Sequence, residues 1–172
     1  MRKVIFLGVA VLALAMGALV QGYRSSESAT REAAQKLTGL ALPDPSGKSQ
    51  RLDQWQGKVL VINFWATWCK PCLEEMPMLI KIQKKYASNG VQVVGIALDS
   101  TAKVQEFAKK LGVEYPLLIG SLETMEVTKK IGNATAGLPY TVVLNRAGKI
   151  VKTRLGGISE AELDAALKPL LG

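Results

Sequence analysis

Hydrophobic and polar positions divide the chain into three stretches of different texture. Val4 to Val20 runs seventeen residues without a charge or a strongly polar side chain, behind Arg2 and Lys3. As a helix this run would measure about 25 Å, the short limit for crossing a hydrocarbon core of about 30 Å. Two readings compete for it. Ala13-Leu14-Ala15 has the small-x-small form of a signal-peptide cleavage site. An uncleaved signal anchor accounts for the whole run, which continues through Leu19 and Val20, and Arg2 and Lys3 would hold its N-terminus in the cytoplasm. Residues 1–21 are taken as this anchor. Residues 22–37 are rich in Ser, Ala and Glu, lack apolar periodicity, and read as a polar linker, either a tether or a frayed helix. The globular pattern occupies residues 38–172.

Within that stretch, short apolar runs and helical patterns are separated by clear turn signals. Leu40 to Leu52 predicts a hairpin around Asp44-Pro45-Ser46-Gly47. Asp53 is placed to cap a one-turn helix through Trp55. Lys58–Ala66 is nearly unbroken apolar and β-branched sequence, as a strand buried on both faces requires. A helix follows to about Ser88, and Val91–Leu98 is a second buried strand. A helix over Thr101–Leu111, a short strand over Tyr115–Ile119 and a helix over Ser121–Ile131 come next. Strands Tyr140–Leu144 and Lys149–Leu155 flank a hairpin signal at 145–148. Ser159 and Glu162 form a capping box for the last helix. Hairpin, β-α-β-α-β-α and then β-β-α predict an α/β fold, with a mixed central sheet and helices on both faces. No internal repeat or second domain boundary is visible.

Composition narrows the chemistry. The 172 residues suit one domain with an appendage, and the chain contains no histidine and two cysteines. Without histidine there is no Ser-His-Asp or Cys-His pair, no imidazole proton shuttle and no histidine metal ligand. The net charge of +8 changes little. From Leu37 onward the charge is 17 − 12 = +5, scattered over several helices without a dense basic tract, so no nucleic-acid partner is expected.

Both cysteines lie in one tetrapeptide, Cys69-Lys70-Pro71-Cys72, where the strand over 58–66 passes into a helix. Free N–H groups and the helix dipole at that terminus favour a thiolate on Cys69, and Lys70 adds a positive charge nearby. Cys72, one turn further in, is placed to resolve a mixed disulfide. Pro71 is tolerated in the first turn and stiffens the loop between the sulfurs. A purely structural disulfide closing so short a loop would remove little chain entropy. A zinc half-site would need two more ligands, whereas Met76 or Met78 could join the thiolates in a Cu(I) site.

Asn63-Phe64-Trp65-Ala66-Thr67-Trp68-Cys69-Lys70-Pro71-Cys72, followed by Glu75-Met76-Pro77 and later by Gly137-Leu138-Pro139-Tyr140-Thr141, resembles the thioredoxin superfamily. Within it the chain is similar to the TlpA/ResA branch of membrane-anchored, extracytoplasmic thiol-disulfide oxidoreductases. The resemblance implies a thioredoxin-like fold in which Val91–Ile131 supplies a central βα insertion. It makes Cys69 the exposed nucleophile and Cys72 the resolving thiol. Pro139 matches a cis-proline opposite the active site, and the backbone of Leu138 would pair with substrate. Trp68 matches an aromatic beside the dithiol, the alternative being ordinary packing. Trp68, Pro71, Leu138 and Pro139 are thus the expected substrate-binding residues. Pro77 matches a helix-kinking proline. Asn63 stands where cytoplasmic-type thioredoxins carry a buried aspartate. The branch instead carries a glutamate at the position of Glu75, which could exchange protons during thiol attack or lie exposed in the first helical turn.

The same resemblance implies a monomeric reductase of protein disulfides on the periplasmic or other extracytoplasmic side of the cytoplasmic membrane. It would need no metal and no cofactor beyond the redox-active Cys69–Cys72 disulfide, and a membrane electron donor would re-reduce it. Apocytochrome c is the expected client, placing the enzyme in cytochrome c maturation. Reduction of copper-site thiols in respiratory oxidase assembly is an alternative, as is a Cu(I) metallochaperone without redox turnover. An oxidase working in the opposite direction remains open to the same motif, whereas a peroxidase would want a lone cysteine in a threonine-proline setting.

Overall fold

The structure, a computed structural model, describes the backbone of residues 2–171 and the side chains of 16–22 and 27–171. Helix α1 spans Arg2–Gly39. The apolar run behind the anchor expectation lies largely outside the described side chains, and no helix among the described residues is long and apolar enough to cross a membrane. Strands β1 (Ala41–Pro43) and β2 (Ser49–Arg51) form the expected hairpin as a separate two-stranded sheet. Asp44 holds its turn: Oδ1 accepts from the Ser46 and Lys48 amides at 2.9 and 3.0 Å, and Oδ2 from Gln50 at 3.1 Å.

The central sheet contains β3 (Val59–Trp65), β4 (Val91–Ala97), β5 (Leu117–Ile119), β6 (Tyr140–Leu144) and β7 (Ile150–Leu155), in the order β5-β4-β3-β6-β7. The β3–β4 and β4–β5 pairs are parallel, and β3–β6 and β6–β7 antiparallel. Four helices complete the domain: α2 (Lys70–Tyr86), α3 (Thr101–Leu111), α4 (Leu122–Lys130) and α5 (Glu160–Leu167). All seven residues of β3 are buried, which explains its unbroken apolar run. Its side chains alternate between two cores. Val59, Val61 and Trp65 meet α2, α3 and α5, whereas Leu60, Ile62 and Phe64 meet α1 and α4. Each fully buried aliphatic side chain here contributes about 1.5–3 kcal/mol.

Three details differ from expectation. Residues 22–37, read as a polar linker in the form of a tether or a frayed helix, are helical, but the end of that segment is docked rather than free. Ala33, Ala34 and Leu37 are buried, and Lys36 pairs with Glu123 of α4 at 3.2 Å. Small alanines supply too little apolar signal to mark a buried stripe, so the periodicity was hidden. Asp53 does not cap the turn at Leu52–Trp55; its carboxylate instead pairs with Arg51, the residue at the N-cap position. The strand expected from Tyr115 begins at Leu117, since Pro116 has no N–H for a ladder. The remaining elements fall within two residues of their expected ends, and both Ser121 and Ser159 close capping boxes.

Candidate active site

The end of β3 delivers a short loop to α2, and that loop is fastened from the side. The Leu98 amide donates to the Trp65 carbonyl at 2.8 Å, and the Thr67 hydroxyl donates to Asp99. Burial works to raise Asp99, but the Thr67 and Ser100 donors and nearby Lys103 outweigh it, keeping the carboxylate below its ordinary range. Cys69 is the N-cap of α2 in an extended conformation, and Pro71 sits in the first turn, where its lack of an N–H costs nothing. Cys69 and Cys72 form a disulfide with an S–S distance of 2.02 Å and a Cα–Cα distance of 5.3 Å. Cys69 is 6% exposed and Cys72 fully buried, so Cys69 is the more accessible partner, though far less exposed than the resemblance implied.

The surroundings separate into an accessible rim and a buried floor. Trp68 is 70% exposed directly before Cys69, which rules out a core-packing role for its ring. Leu138 is half-buried against the apolar cluster that contains both cysteines, and the Leu138–Pro139 peptide is cis, as expected. Lys70 is exposed and lies 3.8 Å from Glu74, so its charge is shared with that carboxylate rather than reserved for Cys69. Met76 is fully buried in the core. No cluster of three or more His, Cys, Asp or Glu side chains suited to a metal ion occurs among the described residues.

Glu75 belongs to the floor. Exposed Glu74 is its neighbour, yet Glu75 is only 7% exposed, since its position three residues after Cys72 turns it inward. The alternative of an exposed first-turn glutamate therefore does not hold. Its Oε1 accepts from Asn63 Nδ2 at 2.7 Å and its Oε2 from the Ile158 amide at 3.1 Å. Burial raises the carboxyl above its ordinary value, while these two donors oppose the rise.

Asn63 also donates to Thr141 Oγ1 at 3.2 Å. In sequence, Asn63 read only as a missing aspartate. Thr141 was visible as the end of the Gly-Leu-Pro-Tyr-Thr motif, whereas nothing local marked Ile158, which meets Glu75 through its backbone. A groove of roughly 470 Å³ lies away from the disulfide, at the start of β3, between α1 and the β6–β7 hairpin.

A cysteine pair at a strand-to-helix turn of this mixed sheet, with a cis peptide at Leu138–Pro139 leading into β6, defines the class: a thioredoxin-like thiol-disulfide oxidoreductase. The Redoxin family profile matches residues 29–167, and the chain belongs to that family. The thiol-disulfide oxidoreductase ResA of Bacillus cereus is 31% identical over 153 residues, covering 88% of this chain and 86% of its own. ResA of Geobacillus thermodenitrificans is 27% identical over 171 residues, covering 99% and 94% respectively. The crystal structure of a thioredoxin-family thiol:disulfide interchange protein from Chlorobium tepidum superposes with a TM-score of 0.71 at 29% identity, over 78% of this chain and 94% of its own.

Proposed function

We propose that Cys69 and Cys72 are the redox couple with which this enzyme reduces disulfides of extracytoplasmic proteins, and that no further cofactor takes part. The observation that carries this reading is the Cys69–Cys72 disulfide at the N-terminus of α2, bordered by exposed Trp68. In the dithiol state the Cys69 thiolate, favoured by the helix terminus, attacks a client disulfide. A mixed disulfide forms, and the first client sulfur leaves as a thiolate. Cys72 then loses its proton to Glu75 and attacks Cys69 Sγ, releasing the second client sulfur. Two electrons pass to the client, and the enzyme is left as the disulfide.

Trp68, Pro71, Leu138 and Pro139 form the docking rim for the client backbone around the sulfurs. The apolar run at 4–20 holds the enzyme in the cytoplasmic membrane as a single-pass monomer, with the domain on the extracytoplasmic side, where a membrane electron donor restores the dithiol. Likeness to the TlpA/ResA branch supports apocytochrome c as the client. Trapping tests this directly. A Cys72→Ser variant stops at the mixed disulfide, and apocytochrome c is expected among the captured proteins. Capture of copper-site proteins instead would move the enzyme to oxidase assembly.

A further inference from the structure

The fully buried Asn63 side chain uses its two ends unequally. Nδ2 donates to both Glu75 Oε1 and Thr141 Oγ1, at 2.7 and 3.2 Å, whereas Oδ1 has no hydrogen-bond partner. A buried acceptor left in this state is costly. The two partners of Nδ2 are not fixed in kind. A hydroxyl both donates and accepts, and a carboxyl group accepts when ionised but donates when protonated.

Glu75 Oε2 is already committed to the Ile158 amide at 3.1 Å. A proton taken up by Glu75 therefore belongs on Oε1, the oxygen that faces Asn63. There it would point at Nδ2, which has no lone pair to receive it. Half a turn of the amide removes the conflict. Oδ1 then accepts from Glu75 Oε1–H and from the Thr141 hydroxyl, while Nδ2 takes the side on which Oδ1 had no partner. Neither aspartate nor leucine offers this: the first adds a buried negative charge beside Glu75, and the second has no polar atom.

The strand next to Asn63 packs closely at this level, where a Cβ on its β4 neighbour Gly95 would meet Leu117 Cδ2 at 2.6 Å. The same Cβ would lie 3.1 Å from Trp65 Nε1 and 3.3 Å from the Tyr115 ring edge. Trp65 Nε1 and Tyr115 OH are the other two unpartnered buried polar side-chain atoms among the described residues. Of the titratable groups, the Tyr115 phenol feels the Glu75 charge, and in the dithiol state the Cys72 thiol shares its helix face. Among the described residues, burial, the Ile158 amide and Asn63 are what set the Glu75 carboxyl, with no lysine or arginine beside them.

We propose that Asn63 is a positioning residue that follows the proton on Glu75 by turning its side-chain amide, with Nδ2 toward the carboxylate and Oδ1 toward the acid. The carboxyl group thereby keeps one place while it takes up a proton and gives it back. This deepens the reading of Glu75 as the acceptor of the Cys72 proton and rests on it.

The test is NMR on the isotopically labelled full chain in detergent, in the disulfide state so that no thiol titrates. The Asn63 side-chain NH2 resonances are expected to shift with the same midpoint as Glu75 Cδ, and to be pH-independent in Glu75→Gln. Asn63→Leu removes a donor to the ionised form, and Asn63→Asp adds a like charge, so both are expected to move the Glu75 midpoint upward. Thr141→Val is expected to displace that midpoint and Thr141→Ser to restore it. NH2 signals that stay still through the Glu75 titration, or that move equally in Glu75→Gln, overturn the proposal. If the amide follows Glu75 while Cys72 titrates normally in reduced Glu75→Gln, the amide response stands and the proton-acceptor reading fails.

Discussion

Glu75 and Trp68 stand at opposite extremes of exposure close to the disulfide in the chain. Burial raises Glu75 above its ordinary value of 4.5, so in the pH window above that value the folded chain holds a proton that the unfolded chain has lost. Stability from the neutral carboxyl is complete below the window and lost as pH rises through the raised folded value. Glu75→Gln keeps the group neutral throughout. Urea titrations across pH should therefore show the wild type losing stability relative to Glu75→Gln with rising pH, and parallel profiles would mean that Glu75 titrates normally. Trp68 is the opposite case. At 70% exposure its removal leaves no cavity, so Trp68→Ala is expected to change stability by no more than about 0.5 kcal/mol. Its effect belongs in the second-order rate constant for client reduction, which should fall while the rate with a small disulfide is retained. Equal losses with both substrates would remove Trp68 from the docking rim. Sequence alone placed both residues near the sulfurs. It did not show the Asn63–Thr141–Ile158 set around Glu75, because those contacts span 12, 78 and 83 positions and depend on how β3, β6 and the segment before α5 meet.

The elements were legible wherever local signals and tertiary demand agree. The buried run of β3, Gly112 at φ 64° behind α3, and the capping boxes at Ser121 and Ser159 each combine a pattern with a physical need. The last turns of α1 are the counterexample. Their buried face consists of Ala33, Ala34 and Leu37, and its partner surface comes from α4 and the turn at Leu52–Trp55, distant in sequence. Leu37 is the large side chain in that contact and is fully buried. Leu37→Ala should cost about 2–5 kcal/mol, as other buried leucine truncations do. Hydrogen exchange distinguishes docking from tethering: amides 30–39 should lose protection in Leu37→Ala before those of β3. Unchanged stability would return this segment to a mere linker.

For the whole molecule, the direction of electron flow is a question of folding energetics. Folding and reduction form a closed thermodynamic cycle, so the difference in stability between disulfide and dithiol forms equals the shift in potential that folding imposes on the Cys69–Cys72 pair, about 1.4 kcal/mol per 30 mV. An unfolded apocytochrome presents its own cysteines in a structureless chain, much as the unfolded enzyme does. To reduce such a client, the folded pair must therefore lie below its own unfolded potential, which makes the disulfide form the more stable fold. Two features of the site pull in opposite directions. Cys69 at the N-cap of α2 favours the thiolate and hence the dithiol form. Buried Cys72 shares a helix face with Glu75, where a second negative charge is unwelcome, and this favours the disulfide. If the enzyme is a reductase, the second influence prevails. Urea unfolding of the two redox forms should then give a higher midpoint for the disulfide, and a pair poised about 60 mV below its unfolded value should separate them by about 2.8 kcal/mol. Greater stability of the dithiol form would identify an oxidant. Glu75→Gln, by removing the charge that opposes the dithiol, should bring the two midpoints closer together.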